Sequence, residues 1–385
     1  MSHTTTAATV TAGDARARMI EALITSGALR SLRWTAAFAT IPREVFAGVF
    51  QTRGDEGLTT HSPEDPDYLT AVYEDTSLIT QWDAGGTATS SSSQPTVMAQ
   101  MLEAFDVPPG APVLEVGTGT GYNTALLCHG LGDAQVVSVD VDQVLTARAR
   151  ERLADLGYEP TLVTSDATRS IPGDSLYGGI LATCGVPRIP AAWLHQVAPD
   201  GIIVTNTGSG IVRLTVADDH SAHGAFLPDG AAFMTARPTA DHVAPHASQH
   251  MQRLMAAAGE TRNVTLPAPA AEVFTEPLLG ARALEVALLH ADVLAMSWTG
   301  ADGVTVHGLV HPPTGTWARV ASAGGTEAEV VSYGPRNLWQ ERLDLLTGWM
   351  TAGRPGPGCY SLAVDADGRH TLRREMPAAC CSWTF

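Results

Sequence analysis

The sequence predicts an α/β protein: a mostly parallel sheet with helices on both faces, followed by a second region of α+β character. Three observations predict it. Short apolar runs alternate with helical stretches between residues 111 and 206, the pattern of a parallel sheet covered on both sides. The first of these runs leads at once into a glycine-rich turn and then a helix. After about residue 215 the pattern changes to short strands separated by turns. A chain of 385 residues has room for two domains at roughly 100–200 residues each. The expected division is a flexible N-terminus over 1–14, a first domain over 15–215 and a C-terminal accessory domain over 216–385.

The elements follow in order. Residues 1–13 are rich in Thr and Ala and are expected to fray. From Ala15 to about Phe50, Met19, Leu23, Ile24, Leu32, Ala36 and Ala37 recur at helical spacing, and Pro42 suits the start of a further short helix. Residues 51–70 are polar, contain proline and read as an exposed loop. Trp82 has two readings, core packing or the lining of a substrate groove. The run Ser90 to Ser93 precedes Gln94-Pro95 and a helical pattern at Val97, Met98, Met101 and Leu102, where serine can cap a helix.

Strand Ala111–Val116, turn Gly117–Gly121 and helix Tyr122–Leu131 come next. The unit repeats as strand Val136–Asp140 and helix Asp142–Leu156. Thr161–Thr164, Gly179–Ala182 and Ile202–Asn206 supply three more strands. Residues 236–270 are rich in Pro, Ala and His. Beyond them, Ala283–Leu289, Val304–Val310 and Trp317–Ser322 read as strands. Leu338–Met350 reads as a helix whose Trp339, Leu343 and Leu346 face a core. A hairpin ends the pattern, Tyr360–Asp365 and His370–Arg374, turned at Asp367-Gly368.

Composition narrows the function. The chain is 44% hydrophobic and 16% charged, ordinary for a folded protein. Its formal net charge is −17, and all 23 basic residues are Arg. Such acidity argues against a nucleic-acid binder, which needs a basic face to displace counterions, and against docking on an anionic membrane. No apolar run approaches the roughly 18–20 residues that cross a bilayer. The polar N-terminus lacks an apolar signal region, so a cytoplasmic location is expected. Cys128, Cys184, Cys359, Cys380 and Cys381 are irregularly spaced and read as free thiols rather than metal ligands. His220, His223, His242, His246 and His250 match no strong ligand spacing, and no metal site is expected.

The chemistry centres on Glu115-Val116-Gly117-Thr118-Gly119-Thr120-Gly121. Glycines here let backbone N–H groups approach a ligand at the carboxyl edge of the sheet. Asp140 ends the next strand at the spacing of an acid that grips ribose hydroxyls. The glycines alone suit NAD, FAD or S-adenosyl-L-methionine. A dinucleotide site expects G-x-G-x-x-G, whereas this loop is G-x-G-x-G. Glu115 would repel a pyrophosphate and attract a cationic methionine moiety, which favours S-adenosyl-L-methionine. Asp166-Ala167, at the end of the third strand, are placed to face an adenine.

These residues look like a known family. Val113 to Leu127, VLEVGTGTGYNTALL, resembles the first motif of the protein-L-isoaspartate O-methyltransferases. Upstream, Met19 to Gly48 resembles the family's N-terminal helices, with the Val/Ile-Pro-Arg-x-x-Phe element at Ile41 to Phe46. Tyr73 to Leu78 resembles its Tyr-x-Asp segment, and Ser91 to Leu102 its Thr-x-Ser-x-Pro motif. Downstream, SVDVDQVL carries the acidic second motif at Asp140 and Val141, SDAT resembles Gly-Asp-Gly, and APDGIIVTNTG resembles the Pro-Gly-Gly strand. The likeness covers about residues 15–210. Ser91 replaces Thr, Ser165 and Ala167 replace two glycines, and Gly178-Gly179 stands where Asp-Ala is usual.

The resemblance implies a Rossmann-like class I methyltransferase sheet with flanking helices. It implies S-adenosyl-L-methionine held by Glu115, Gly117, Thr118, Gly119, Gly121, Asp140, Val141, Asp166 and Ala167, with S-adenosyl-L-homocysteine as product. The C-terminal extension makes the chain look like methyltransferases of lanthipeptide, graspetide and lasso-peptide maturation. Those methylate one Asp of a modified precursor peptide, and the ester collapses to aspartimide or isoaspartate. That is the preferred expectation. General repair of isoaspartyl proteins is the alternative, and a peptide-binding module without catalysis is a third. A carboxylate is ionised at pH 7, so no general base is required. Ser93, and less strongly Ser91, are the residues expected to orient it.

Overall fold

A computed structural model describes residues 10–54, 57–173, 176–240, 258–266, 282–375 and 381–385. The N-terminal helices are α1 (Ala12–Thr25), α2 (Leu32–Thr40) and α3 (Arg43–Ala47). The helix begins inside the stretch expected to fray. Thr11 caps it, accepting from Asp14 N while the Asp14 carboxylate accepts from Thr11 N, a reciprocal capping box.

The segment expected as a loop after Phe50 is a hairpin, β1 (Phe50–Gly54) and β2 (Gly57–His61). It belongs to a four-stranded sheet with β3 (Leu78–Trp82) and β4 (Ala88–Ser92), in the order β2-β1-β3-β4. Phe50 stacks on His61 at 5.0 Å, a cross-strand contact that polar composition hides. The serine run is therefore an extended strand. The following helix α5 (Pro95–Ala104), which comes after α4 (Tyr68–Tyr73), is capped at Gln94 without any serine hydroxyl.

The main sheet holds ten strands. Its parallel half is β7 (Thr161–Thr164), β6 (Val136–Asp140), β5 (Val113–Val116), β8 (Tyr177–Gly185) and β9 (Val197–Thr207), neighbours in that order. Helices α6 (Tyr122–Leu131), α7 (Gln143–Asp155) and α8 (Ala191–Gln196) connect and cover it. Every residue of β5 is buried, as a central parallel strand requires. The α/β prediction holds, and strand order reverses at β5, between its neighbours β6 and β8, so the carboxyl end of β5 lies at the switch point.

The sheet continues antiparallel through β10 (Gly210–Val216) and β11 (Ala222–Gly230). A second, five-stranded antiparallel sheet comprises β12 (Glu260–Thr265), β13 (Leu294–Thr299), β14 (Thr305–His311), β15 (Thr316–Ser322) and β16 (Glu327–Tyr333). Helices α9 (Leu284–Leu289) and α10 (Leu338–Thr351) accompany it. Trp339 and Leu346 of α10 are buried in its core, with Leu343 packed against them.

Two expectations beyond residue 215 are corrected. Ala283–Leu289 is mostly helix, because Leu284, Val286 and Leu288 bury on a short helix whose Glu285 is itself buried against Arg374. The final strands, β17 (Tyr360–Val364), β18 (His370–Arg374) and β19 (Cys381–Thr384), do not belong to the second sheet. They extend the main one, with β17 pairing β11. The alternating Tyr360, Leu362 and Val364 share one buried cluster with Val212 and Leu214, so apolar burial draws the C-terminus back across the nominal boundary. Among the described residues no helix is long and apolar enough to cross a membrane.

Candidate active site

A cavity of about 640 Å³ opens where the carboxyl ends of β5, β6 and β7 face β4, within the usual size of small-molecule sites. One wall is the glycine loop. Gly117 has φ 98°, and a Cβ there would lie 3.0 Å from Thr183 Oγ1, which donates to Gly117 O at 2.9 Å. Gly119 N donates to Asp140 Oδ2 at 2.8 Å, and Asp142 N to Asp140 Oδ1 at 3.0 Å. Each Asp140 oxygen keeps a second lone pair. Burial pushes the Asp140 carboxyl up, against the pull of these two amides and the nearby Arg237. Of the residues expected to hold the donor, Gly117, Thr118, Gly119, Asp140, Val141, Asp166 and Ala167 line the cavity.

Glu115 and Gly121 do not, and both expectations are corrected. The Glu115 side chain is fully buried beneath the loop. It accepts from Asn123 Nδ2 at 2.8 Å, from Ser138 Oγ at 2.6 Å and from Thr124 Oγ1. It ties β5 to β6 and to the first turn of α6. Burial pushes its carboxyl up to about 7, and those three donors oppose the rise. Gly121 opens α6 at φ 89°; a Cβ there would sit 3.0 Å from Ala149 and 3.4 Å from Phe46. Its absence lets α7 and α3 close on the helix, a packing role.

The opposite wall is built from distant segments. Ser91 and Ser93 both line it, and Ser91 O lies 3.6 Å from where a Gly119 Cβ would be. Behind them lies Arg43, fully buried. Its guanidinium donates to Val72 O at 2.7 Å, Glu74 O at 3.1 Å, Thr76 O at 3.0 Å and Ser93 O at 2.9 Å. Burial lowers it to about 10, so it remains charged at neutral pH. This cation sits within the Ile-Pro-Arg-x-x-Phe element, but nothing local in sequence marks it as the anchor of the serine strand. The third side is the segment from Gly230 to Arg237. Asn206 grips it, donating to Ala231 O at 2.8 Å and accepting from Phe233 N at 3.2 Å. Arg237 donates to Thr89 O at 3.1 Å, closing the ring onto β4.

Several buried polar atoms on these walls have no hydrogen-bond partner in the protein: Ser92 Oγ, Tyr122 Oη, Asn123 Oδ1, Ser165 Oγ and Asp166 Oδ2. Asp166 Oδ1 accepts from Thr168 N at 2.9 Å, while Oδ2 lies 3.3 Å from Arg169 Nε at an angle that makes no hydrogen bond. Buried polar groups are normally satisfied, so unspent acceptors in a cavity imply a ligand rich in donors. Asp140 suits ribose hydroxyls, and Asp166 with Ser165 suits an exocyclic amine. The set fits an adenosine-bearing donor. Trp82 is not on this wall and pairs with Ala88 across β3–β4.

The other singled-out residues lie elsewhere. His220 packs edge-on against His195 at 4.7 Å, with its Nδ1 3.3 Å from Leu194 O. His242, His246, His250 and Cys380 lie outside the described residues. Cys128, Cys184, Cys359 and Cys381 are free thiols, and Cys184 lines the cavity with its thiol pushed by burial up to about 12.

The model of the family described as protein-L-isoaspartate(D-aspartate) O-methyltransferase matches residues 14–225. A protein-L-isoaspartate O-methyltransferase of Koribacter versatilis is 36% identical over 195 residues, 50% of this chain and 77% of that protein. One of Ignicoccus hospitalis is 32% identical over 193 residues, 50% of this chain and 81% of that protein. A solved protein-L-isoaspartate O-methyltransferase superposes with a TM-score of 0.51 at 24% identity, a likeness of fold, covering 96% of this chain and 99% of that one. By the extent of the family match, the chain belongs to the protein-L-isoaspartate(D-aspartate) O-methyltransferase family.

Proposed function

We propose that this chain methylates the free carboxylate of an isoaspartyl residue in a peptide or damaged protein. The observation that carries the reading is the facing of two walls across one cavity: glycine loop and Asp140 on one side, Ser91 and Ser93 on the other. The family's methyl donor is S-adenosyl-L-methionine. When bound, it supplies a methyl group on a positively charged sulfur and leaves as S-adenosyl-L-homocysteine. Asp140, Asp166 and Ser165 would hold its adenosine part, and the lack of side chains at Gly117 and Gly119 would let it approach the sheet edge closely.

The remaining work belongs to this chain's residues. A carboxylate is already ionised at neutral pH, so no side chain has to remove a proton. Ser93 orients the substrate oxygen through its hydroxyl, with Ser91 secondary. Arg43 fixes the Ser93 carbonyl and so the backbone from which its hydroxyl projects. Alignment of this kind and exclusion of water are large contributors when little covalent chemistry is asked of the protein.

A second reading is methylation of one Asp in a modified precursor peptide, leading to aspartimide or isoaspartate. Phe233, Met234 and Arg237 bear on it, because this part of the cavity wall lies beyond the family match at residue 225 and the family does not set its fit to a substrate. The test is incubation with methyl-labelled S-adenosyl-L-methionine and matched peptides bearing isoaspartate or Asp at one position, alongside a cyclised precursor peptide. Base-labile label on the isoaspartyl peptide is expected. Label confined to the precursor would select the second reading, and label on none would overturn both.

A further inference from the structure

Strand β4 carries Ser91 and runs straight into Ser93, yet its own sequence does little to fix where it lies. Ala88-Thr89-Ser90-Ser91-Ser92 has no large apolar side chain, and a strand without an apolar face specifies its register weakly. A slip of one residue would turn Ser91 to the other face of the sheet. Arg43 holds the chain from behind, through Ser93 O. The opposite end of the strand is held by a chain of hydrogen bonds that reaches the donor wall.

The pairing of β3 with β4 is broken twice. Ile79 lies opposite Ser91 and Gln81 opposite Ser90, which leaves Thr80 unmatched. Trp82 lies opposite Ala88, which leaves Thr89 unmatched. Irregularities of this kind re-aim side chains beside active sites. Here they bring Gln81 and Thr89 together, and Thr89 Oγ1 donates to Gln81 Oε1 at 2.9 Å. Gln81 Nε2 donates in turn to Asp142 Oδ2 at 2.8 Å, across a sequence separation of 61 residues. Asp142 N donates to Asp140 Oδ1 at 3.0 Å, the acid placed against the ribose. Asp142 Oδ1 also caps α7, accepting from Val144 N at 2.8 Å, which seats this turn on the helix. On its other side, Thr89 O accepts from Arg237. Thr89 lines the cavity and Gln81 does not, so Gln81 acts only through the groups it holds.

We propose that Gln81 is a positioning residue that couples occupancy of the donor site to the placement of the serine strand, so that donor and peptide bind cooperatively. The inference rests on the proposed methylation of a peptide carboxylate. A donor whose ribose hydroxyls bind Asp140 stiffens the turn from Asp140 to Asp142. Gln81 passes that restraint to Thr89, two residues before Ser91, and the strand is then held at both ends. The peptide carboxylate meets serines already in place, and the cost of ordering them falls on the donor.

The experiment measures peptide affinity by calorimetry. It uses the full chain, an isoaspartyl peptide and S-adenosyl-L-homocysteine, which has no methyl group to transfer. The unaltered chain is expected to bind the peptide about tenfold tighter with S-adenosyl-L-homocysteine than without it, and the peptide must tighten S-adenosyl-L-homocysteine by the same factor. Q81A should bring that ratio to within about twofold of one, while each ligand still binds alone. Q81E sets a second carboxylate against Asp142 and should abolish the coupling as well. Q81E/D142N exchanges amide and carboxylate, keeps a capping side chain on α7, and should restore the ratio to about fivefold or more. A merely structural defect would not be rescued by that exchange. Equal peptide affinity with and without S-adenosyl-L-homocysteine in the unaltered chain, with methylation intact, would overturn the coupling and leave the proposed function standing. A ratio unchanged in Q81A and Q81E, or not recovered in Q81E/D142N, would remove Gln81 from this role. A peptide neither bound nor methylated by the unaltered chain would strike the proposed function, and this inference with it.

Discussion

The two main walls of the cavity are built by opposite strategies. The glycine-loop wall is contiguous: residues 113–140 supply β5, the loop, α6, β6 and Asp140 within one stretch of chain. The serine wall is assembled: Arg43 of α3 ties Ser93, just after β4, to the carbonyls of Val72, Glu74 and Thr76, and Arg237 from beyond β11 donates to Thr89 O of β4. The first wall is fixed by secondary structure and local turns. The second depends on one buried cation and long-range closure. The lesson is that a binding half can be local and transferable, while the orienting half of the same site is a product of tertiary assembly.

Breaking the assembled wall at its anchor should have the largest effect. Arg43→Ala leaves the carbonyls of Val72, Glu74, Thr76 and Ser93 without their donor. Hydrogen bonds to charged groups are worth about 1.5–3 kcal/mol each, so a loss of at least ~3 kcal/mol is expected in urea unfolding. A loss under ~1 kcal/mol would show that the wall stands without it.

The contiguous wall contains a titrating group. With its folded carboxyl raised to about 7 from an ordinary 4.5, Glu115 binds more protons folded than unfolded between those values. Its contribution to stability is full below pH 4.5, falls as pH rises through the window, and levels off above about 7. The fall approaches ~1.4 kcal/mol per pH unit at most. Glu115→Gln should remove it, so stability curves of the two proteins between pH 5 and 8 should converge or cross rather than run parallel.

Two smaller effects separate binding from orientation. Asp140→Ala should weaken S-adenosyl-L-methionine binding by ~10–100-fold in calorimetry, the scale of hydrogen bonds to a charged group. Unchanged affinity would remove Asp140 from the ribose site. Ser93→Ala should lower kcat about tenfold with donor affinity within about twofold. Parallel loss of both would place Ser93 in donor binding instead.

The alternation of apolar runs and the glycine turn made the parallel half readable, because period and turn chemistry are local properties. Loop residues 117–119, Asp140 and Asp166 come together on the cavity wall for the same reason. Glu115 was not: a carboxylate beside a glycine loop reads as a ligand contact, and only packing shows Asn123, Thr124 and Ser138 consuming it. The β1–β2 hairpin was missed because its outward residues are polar on both faces.

By itself, then, the sequence determined the strand–loop–helix order, the family, and the half of the site that one short stretch of chain can form. Tertiary structure alone decided that the serine run is a strand, that Arg43 holds it, and that the C-terminal hairpin returns to the main sheet. The physical reason is range. Hydrophobic period and turn preference act between near neighbours, whereas a buried charge finds its acceptors, and an edge strand its partner, only when distant segments meet.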